Sequence, residues 1–297
     1  MKQPKEETRR LEAVETVSAP GKNEKALSAI RREILGNGIS SDDAQHTRQR
    51  SVIWKLLLGV YETPAKEYLD LVQFGSSVVN DKIRNDTFRT LATDVAFQKR
   101  VQEEMLVRLL DAFVWQTIYI QGMNVLAAPF LYAMPSELEA FYCFSRFLEV
   151  NCPLYVQQTL EGVHRGLKLL DMCMEVADAE LYAYLKSKGL SAEVYAFPSI
   201  LTFSAGTPPL DEVLHLWDFL LAFGVHLNVL CVVAQLHLIR DEILAEPSPI
   251  KMLRTLPPLN ARSVIALCCQ FVKDLPEGQY DKLVRHVAMG CNARSLR

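Results

Sequence analysis

Apolar positions along the chain recur at helical rather than strand spacing. Leu27, Ile30 and Ile34 repeat at intervals of three and four, and Gly36-Asn37-Gly38 offers a stop. Ser40-Ser41-Asp42-Asp43 supplies N-cap candidates for a second helix that runs through 52–59. Pro64 opens a third, with Tyr68, Leu71, Val72 and Phe74 on its apolar face and Gly75 at its end. The clearest periodicity predicts one helix over 98–116, where Val101, Met105, Leu109 and Ala112 form a stripe flanked by Leu106, Leu110 and Phe113. Further helices are predicted over 121–133, 136–150, 157–175, 177–187, 192–203, 210–222, 227–243, 249–254 and 260–273, with Gly and Pro between them. No alternating strand pattern, flanked Asn-Gly hairpin or fixed-period repeat is present. The predicted fold is all-α, a globule of about a dozen helices with no significant sheet.

Three segments follow from this pattern. Residues 1–44 read as a charged tail plus a short helix, 45–245 as the main domain, and 246–297 as a C-terminal helical segment packed on it. Composition removes several function classes. Lys+Arg 32 against Asp+Glu 35 leaves a net charge of −3, which argues against a nucleic-acid partner. No apolar run reaches transmembrane length, since Pro129 interrupts 125–134 and His226, Asn228, Gln235 and His237 punctuate 219–239. Residues 1–7 lack the apolar stretch of a signal peptide, so the expected location is cytoplasmic or nuclear. The seven cysteines form no Cys-x-x-Cys pair, so neither a disulfide framework nor a metal site is expected.

Generic chemical motifs are missing: there is no phosphate-binding loop, dinucleotide fingerprint, His-Glu-x-x-His or nucleophile elbow. Two segments instead place polar groups beside expected helix starts. In Ile83-Arg84-Asn85-Asp86-Thr87-Phe88-Arg89-Thr90, Asp86 and Arg89 are three apart and share a helix face. The carboxylate is expected to hold the base of the guanidinium and leave its tip free. In Tyr119-Ile120-Gln121-Gly122-Met123-Asn124, Gly122 allows unusual dihedrals or a close backbone approach beside Gln121. By composition alone, Arg89 reads as a solvated partner of Asp86, and Gln121 as an ordinary polar residue near a helix start.

These segments carry a resemblance. The sequence resembles the TBC (Tre-2/Bub/Cdc) domain family of GTPase-activating proteins. Ile83, Asp86 and Arg89 match its Ile-x-x-Asp-x-x-Arg motif, and Tyr119, Gln121, Gly122, Met123 and Asn124 match Tyr-x-Gln-Gly-Met-Asn. Arg50, Trp54 and Gly59 are similar to its opening, and Leu216-Trp217-Asp218 to its Leu-Trp-Asp helix. Four motifs in the right order extend the likeness over roughly 45–245. His215 stands where many members have Arg, and 195–203 lacks a frequent Trp. The run 197–214 is similar to the compact fungal mitotic-exit checkpoint subgroup (budding uninhibited by benomyl).

The resemblance implies two catalytic residues supplied in trans to a Ras-superfamily small GTPase, Rab-like or mitotic-exit in type. Arg89 would neutralise charge on the transferring phosphoryl group, and Gln121 would position the attacking water. Asp86, Tyr119, Gly122 and Asn124 would orient them, while Trp217 and Asp218 would be structural. No cofactor of its own is implied, because GTP and magnesium belong to the partner. The subgroup implies an obligate co-factor subunit, a cell-cycle or spindle-checkpoint role, and location at the spindle pole body or centrosome. A TBC-fold scaffold that binds a GTPase without accelerating hydrolysis stays open, as does a generic helical adaptor.

Overall fold

The computed structural model describes residues 23–36, 38–39 and 44–288. Among the described residues there are eighteen α-helices and no strand. The first eight are α1 (Asn23–Gly36), α2 (Ala44–Leu58), α3 (Ala65–Gln73), α4 (Asn80–Thr87), α5 (Val95–Arg100), α6 (Glu103–Val114), α7 (Met123–Ala133) and α8 (Glu137–Arg146). A π-turn over Phe147–Asn151 and a 3-10 turn over Pro153–Tyr155 lead into α9 (Glu161–Ala177), α10 (Ala179–Ser187), α11 (Ala192–Tyr195) and α12 (Phe197–Leu201). The chain closes with α13 (Leu210–Phe223), α14 (Asn228–Leu238), α15 (Arg240–Ala245), α16 (Ile250–Arg254), α17 (Ala261–Asp274) and α18 (Glu277–Arg285).

Helices that are apolar all round occupy the centre. Every residue of α14 from Asn228 to Leu236 is buried, as α9 packs on one side and α17 on another. In α7, Met123, Asn124 and 126–131 are buried, and Pro129 is accommodated inside the helix. An aromatic cluster joins distant elements: Trp217 of α13 lies 6.0 Å from Trp54, 5.4 Å from Phe130 and 5.2 Å from Phe147, centroid to centroid. Such ring pairs contribute about 0.5–1.5 kcal/mol each beyond area burial. Beside the cluster, the buried Asp218 carboxylate accepts from Arg50 Nε at 3.0 Å and from the Trp54 indole at 2.7 Å. Arg50 Nη2 also reaches Asp218 Oδ2 at 3.1 Å and the Ile39 carbonyl at 2.8 Å. Trp217 donates to the Phe203 carbonyl at 3.0 Å. Trp217 and Asp218 of the Leu-Trp-Asp unit are thus structural, as expected.

Three predicted helices are broken. The 98–116 stripe belongs to two helices, because the chain turns through extended Val101 (φ −111°, ψ 109°) and Gln102 (φ −72°, ψ 144°). Val101 is β-branched and favours extended backbone, yet its side chain is buried, so the apolar stripe continues through the bend. The 192–203 prediction splits at Phe197-Pro198, where proline opens α12. The 227–243 prediction splits at Ile239, and Arg240 turns to Asp178 (2.9 Å) and Glu180 (2.6 Å). Helices α4 and α18 fall outside the individually predicted spans, although α18 lies in the 246–297 segment expected to be helical. The N-terminal tail over 1–22 and the 40–43 cap candidates lie outside the described residues.

Two buried histidines make the fold acid-sensitive. His286 Nε2 pairs with the Tyr155 hydroxyl at 2.9 Å and Nδ1 with the Leu283 carbonyl at 2.5 Å, a set the neutral ring satisfies. Burial lowers the His286 pKa to about 4. Burial, then the nearby His286, lowers that of His226 to about 3. Both values lie below the unfolded value of about 6.5, so their stabilisation is complete above pH 6.5 and is lost as pH falls towards 4 and then 3. Two rings at about 1.4 kcal/mol per pH unit each amount to roughly 5 kcal/mol between pH 6.5 and 4.5. Circular dichroism is expected to show a thermal midpoint that falls steadily below pH 6. A midpoint constant down to pH 4.5 would contradict this assignment.

Candidate functional site

Helix α4 is held by Ile83, Asp86 and Thr87, which face inward. Its last turn closes with the Phe88 N–H on the Arg84 carbonyl (3.1 Å), and Phe88 and Arg89 then emerge side by side into solvent. The arginine-bearing segment therefore sits at a helix end rather than at a start. Arg89 Nη2 reaches Asp86 Oδ1 at 2.5 Å, with the arginine side chain 64% exposed and the carboxylate 6%. This corrects the expected grip on the base of the guanidinium. The helix stops at Thr87, so Arg89 folds back beyond its last turn and is held by a terminal nitrogen. The other carboxylate oxygen, Asp86 Oδ2, accepts from the Tyr119 hydroxyl at 2.9 Å. Burial, then the Asp86 carboxylate, pushes the Tyr119 phenol well up, so it remains a donor at neutral pH.

The glutamine-bearing segment does lie beside a helix start. Gly122 caps α7 with φ 103°, a conformation that L side chains rarely adopt. A Cβ there would also stand 3.0 Å from Leu201 Cδ2. Asn124 then joins the two segments. Its Oδ1 accepts from the Gly122 N–H at 3.2 Å, and its Nδ2 donates to the Asp86 carbonyl at 3.2 Å and to Thr90 Oγ1 at 2.8 Å. The Thr90 hydroxyl closes the circuit on the Asp86 carbonyl at 2.9 Å. Gln121, between the locked residues, is exposed, and its carboxamide makes no hydrogen bond among the described residues.

Arg89 and Gln121 line one cleft of about 760 Å³. Its far wall comes from α12 and from the 205–213 stretch that enters α13. Arg89 is the one cation among the described residues of the lining, and its two carboxylates are engaged: Asp86 as above, and Asp94 as the cap of α5 on the Phe97 N–H at 2.8 Å. The lining holds no histidine, cysteine or lysine among the described residues. The cleft thus presents guanidinium donors and a free carboxamide, with both carboxylates already engaged. That set suits stabilising an anion and orienting a water brought by another molecule.

Sequence reasoning named Asp86, Arg89, Tyr119, Gln121, Gly122 and Asn124, which the structure gathers around one cleft. It missed Thr90, whose hydroxyl links the segments, and Leu91, which lines the cleft with a left-handed φ of 45°. Thr90 directly follows Arg89, but nothing local marks its hydroxyl as turned inward. A bulky aliphatic residue gives no sign of a positive φ.

The profile of the Rab-GTPase-TBC domain family matches residues 47–244. The chain is 47% identical over 270 residues to Cell division control protein 16 of Schizosaccharomyces pombe, covering 90% of each. It is 39% identical over 281 residues to Mitotic check point protein BUB2 of Saccharomyces cerevisiae, covering 88% of this chain and 92% of that one. Among solved structures, the Chlamydomonas flagellar RabGAP TBC domain superposes with a TM-score of 0.72 at 18% identity, over 90% of this chain and 92% of that one, a likeness of fold. With its motifs, its helical fold and these relatives agreeing, the chain belongs to the Rab-GTPase-TBC domain family.

Proposed function

We infer that this protein is a GTPase-activating protein that supplies Arg89 and Gln121 in trans to a Ras-superfamily small GTPase. The observation that carries the reading is the shared cleft, where an exposed guanidinium and an exposed carboxamide sit on segments tied through Asn124 and Asp86. Water attacks the γ-phosphorus of GTP as the bond to the β–γ bridging oxygen breaks, giving GDP and phosphate. Arg89 stabilises charge spreading over that bridging oxygen and the transferring group. Gln121 accepts from the attacking water and donates to a phosphate oxygen, which fixes the line of attack. Arginine suits the first task because it stays charged and offers a planar fork of donors.

The named relatives favour a cell-cycle setting. The proposed target is a Rab-like or mitotic-exit GTPase acting in a spindle checkpoint. A co-factor subunit and a cytoplasmic location that includes the spindle pole body or centrosome belong to the same proposal. Single-turnover GTP hydrolysis over a panel of small GTPases tests it, with and without proteins that co-purify with the native chain. Stimulation of at least one member is expected, and Gln121→Ala should reduce it by about 10²–10³-fold, comparable to loss of one preorganised donor. Binding to a GTPase with no stimulation under any condition would favour the scaffold reading instead.

A further inference from the structure

The Asp86–Thr90 stretch turns Asp86, Thr87 and Thr90 inward and leaves only Phe88 and Arg89 outward. Arg89 has a partner in Asp86. Phe88 has none of comparable kind. Its ring is 77% exposed and is not among the residues packed against the core. Exposed single apolar residues are ordinary, but the address of this one is not. Phe88 directly precedes Arg89, with Cα atoms about 3.8 Å apart, so a protein whose phosphate meets Arg89 docks over the same short stretch of surface, although the ring itself lies outside the cleft lining.

The surface beyond it has the same character. Ala92 and Thr93 are exposed, and Val95 is 65% exposed at the start of α5. The one further charge in this loop, Asp94, is occupied in capping α5. Apart from Arg89, the exposed positions of this stretch, Phe88, Ala92, Thr93 and Val95, carry no charge, which is the composition of an interface core rather than of its rim.

Building on the proposed function, the geometry points to Phe88 as the anchoring residue for the GTPase. The ring leaves water on docking and seats against an apolar patch of the partner beside its nucleotide, while Arg89 performs the chemistry. Phe88 supplies affinity that is present equally in the ground and transition states, so it acts on the half-saturating concentration and not on the turnover step.

The test uses the full chain and the panel member that responds most strongly. Phe88→Ala should raise the half-saturating concentration of the activator by about 10–100-fold, the effect of losing one buried aromatic. The maximal stimulated rate should stay within about twofold, and the thermal midpoint should not move, because the ring supports no packing. Phe88→Leu, which keeps an apolar side chain, should recover most of the loss. An unchanged half-saturating concentration in Phe88→Ala overturns the assignment while leaving the proposed function standing. A loss confined to the maximal rate overturns it too, since Phe88 would then be positioning Arg89. Absence of stimulation by the unaltered protein overturns the proposed function and this inference together.

Discussion

Replacing Arg89 with alanine is expected to lower the stimulated rate of GTP hydrolysis by about 10³–10⁵-fold in a single-turnover assay. That range corresponds to roughly 4–7 kcal/mol of barrier. The effect is large because the cleft offers no substitute cation among its described lining. Phosphoryl transfer depends on positioning and electrostatics, so removing the one cation removes most of what the site supplies. Arg89→Lys should recover little. Lysine keeps a charge but loses the fork, and its ammonium cannot hold Asp86 and reach two phosphate oxygens in a plane. The side chain is 64% exposed, and without it the Asp86 carboxylate keeps the Tyr119 hydroxyl and gains water where the guanidinium lay, so both variants should stay folded with at most a small fall in the thermal midpoint. An Arg89→Ala protein that stimulates within tenfold of the unaltered protein would show that the barrier is lowered elsewhere.

The second large effect concerns stability. Asp218→Ala should destabilise the fold by about 3–5 kcal/mol, because it strands the Arg50 charge and the Trp54 indole without their acceptor. Arg50 and Asp218 are 3% and 1% exposed, so bulk solvent does not reach the stranded charge. At about 2–4 °C per kcal/mol for a domain of this size, the thermal midpoint should fall by about 6–20 °C. The double change Arg50→Met with Asp218→Leu should recover much of the loss, since apolar groups of similar volume can replace a buried pair. Helix α13 carries both Asp218 and the cleft-lining Leu210 and Val213. The single variant should therefore lose activity in proportion to its unfolded fraction. The Arg89 variants should lose activity while fully folded. An Asp218→Ala protein with an unchanged midpoint would contradict the role given to the buried pair.

How much of this was legible in the sequence depends on the range over which each signal acts. The all-α class followed from apolar spacing, a local property. The Asp86–Arg89 pairing was legible because three residues separate them at a helix end. Gly122 was legible as a position of special dihedrals, because φ 103° excludes most side chains. The bend at Val101-Gln102 was not, since a buried residue at a helix end keeps the stripe in register. The Arg50–Asp218 pair joins residues 168 apart, and no local pattern brings them together; only the family's paired motifs hinted that both matter. The Asn124–Thr90 link has the same origin, a contact across 34 positions that exists only once α4 and α7 are packed. Grip on a terminal rather than an inner guanidinium nitrogen depends on where α4 stops, and helix ends are the least legible feature of a periodic pattern.

The most direct test of the account is complex formation with the responsive GTPase carrying GDP and aluminium fluoride, a planar mimic of the transferring phosphoryl group. If Arg89 and Gln121 act together on the transition state, the unaltered chain should bind this form far more tightly than the GDP form. That preference should vanish in Arg89→Ala and weaken in Gln121→Ala. Equal preference for the fluoride-bound form in the unaltered chain and in the Arg89→Ala, Gln121→Ala double variant would contradict it.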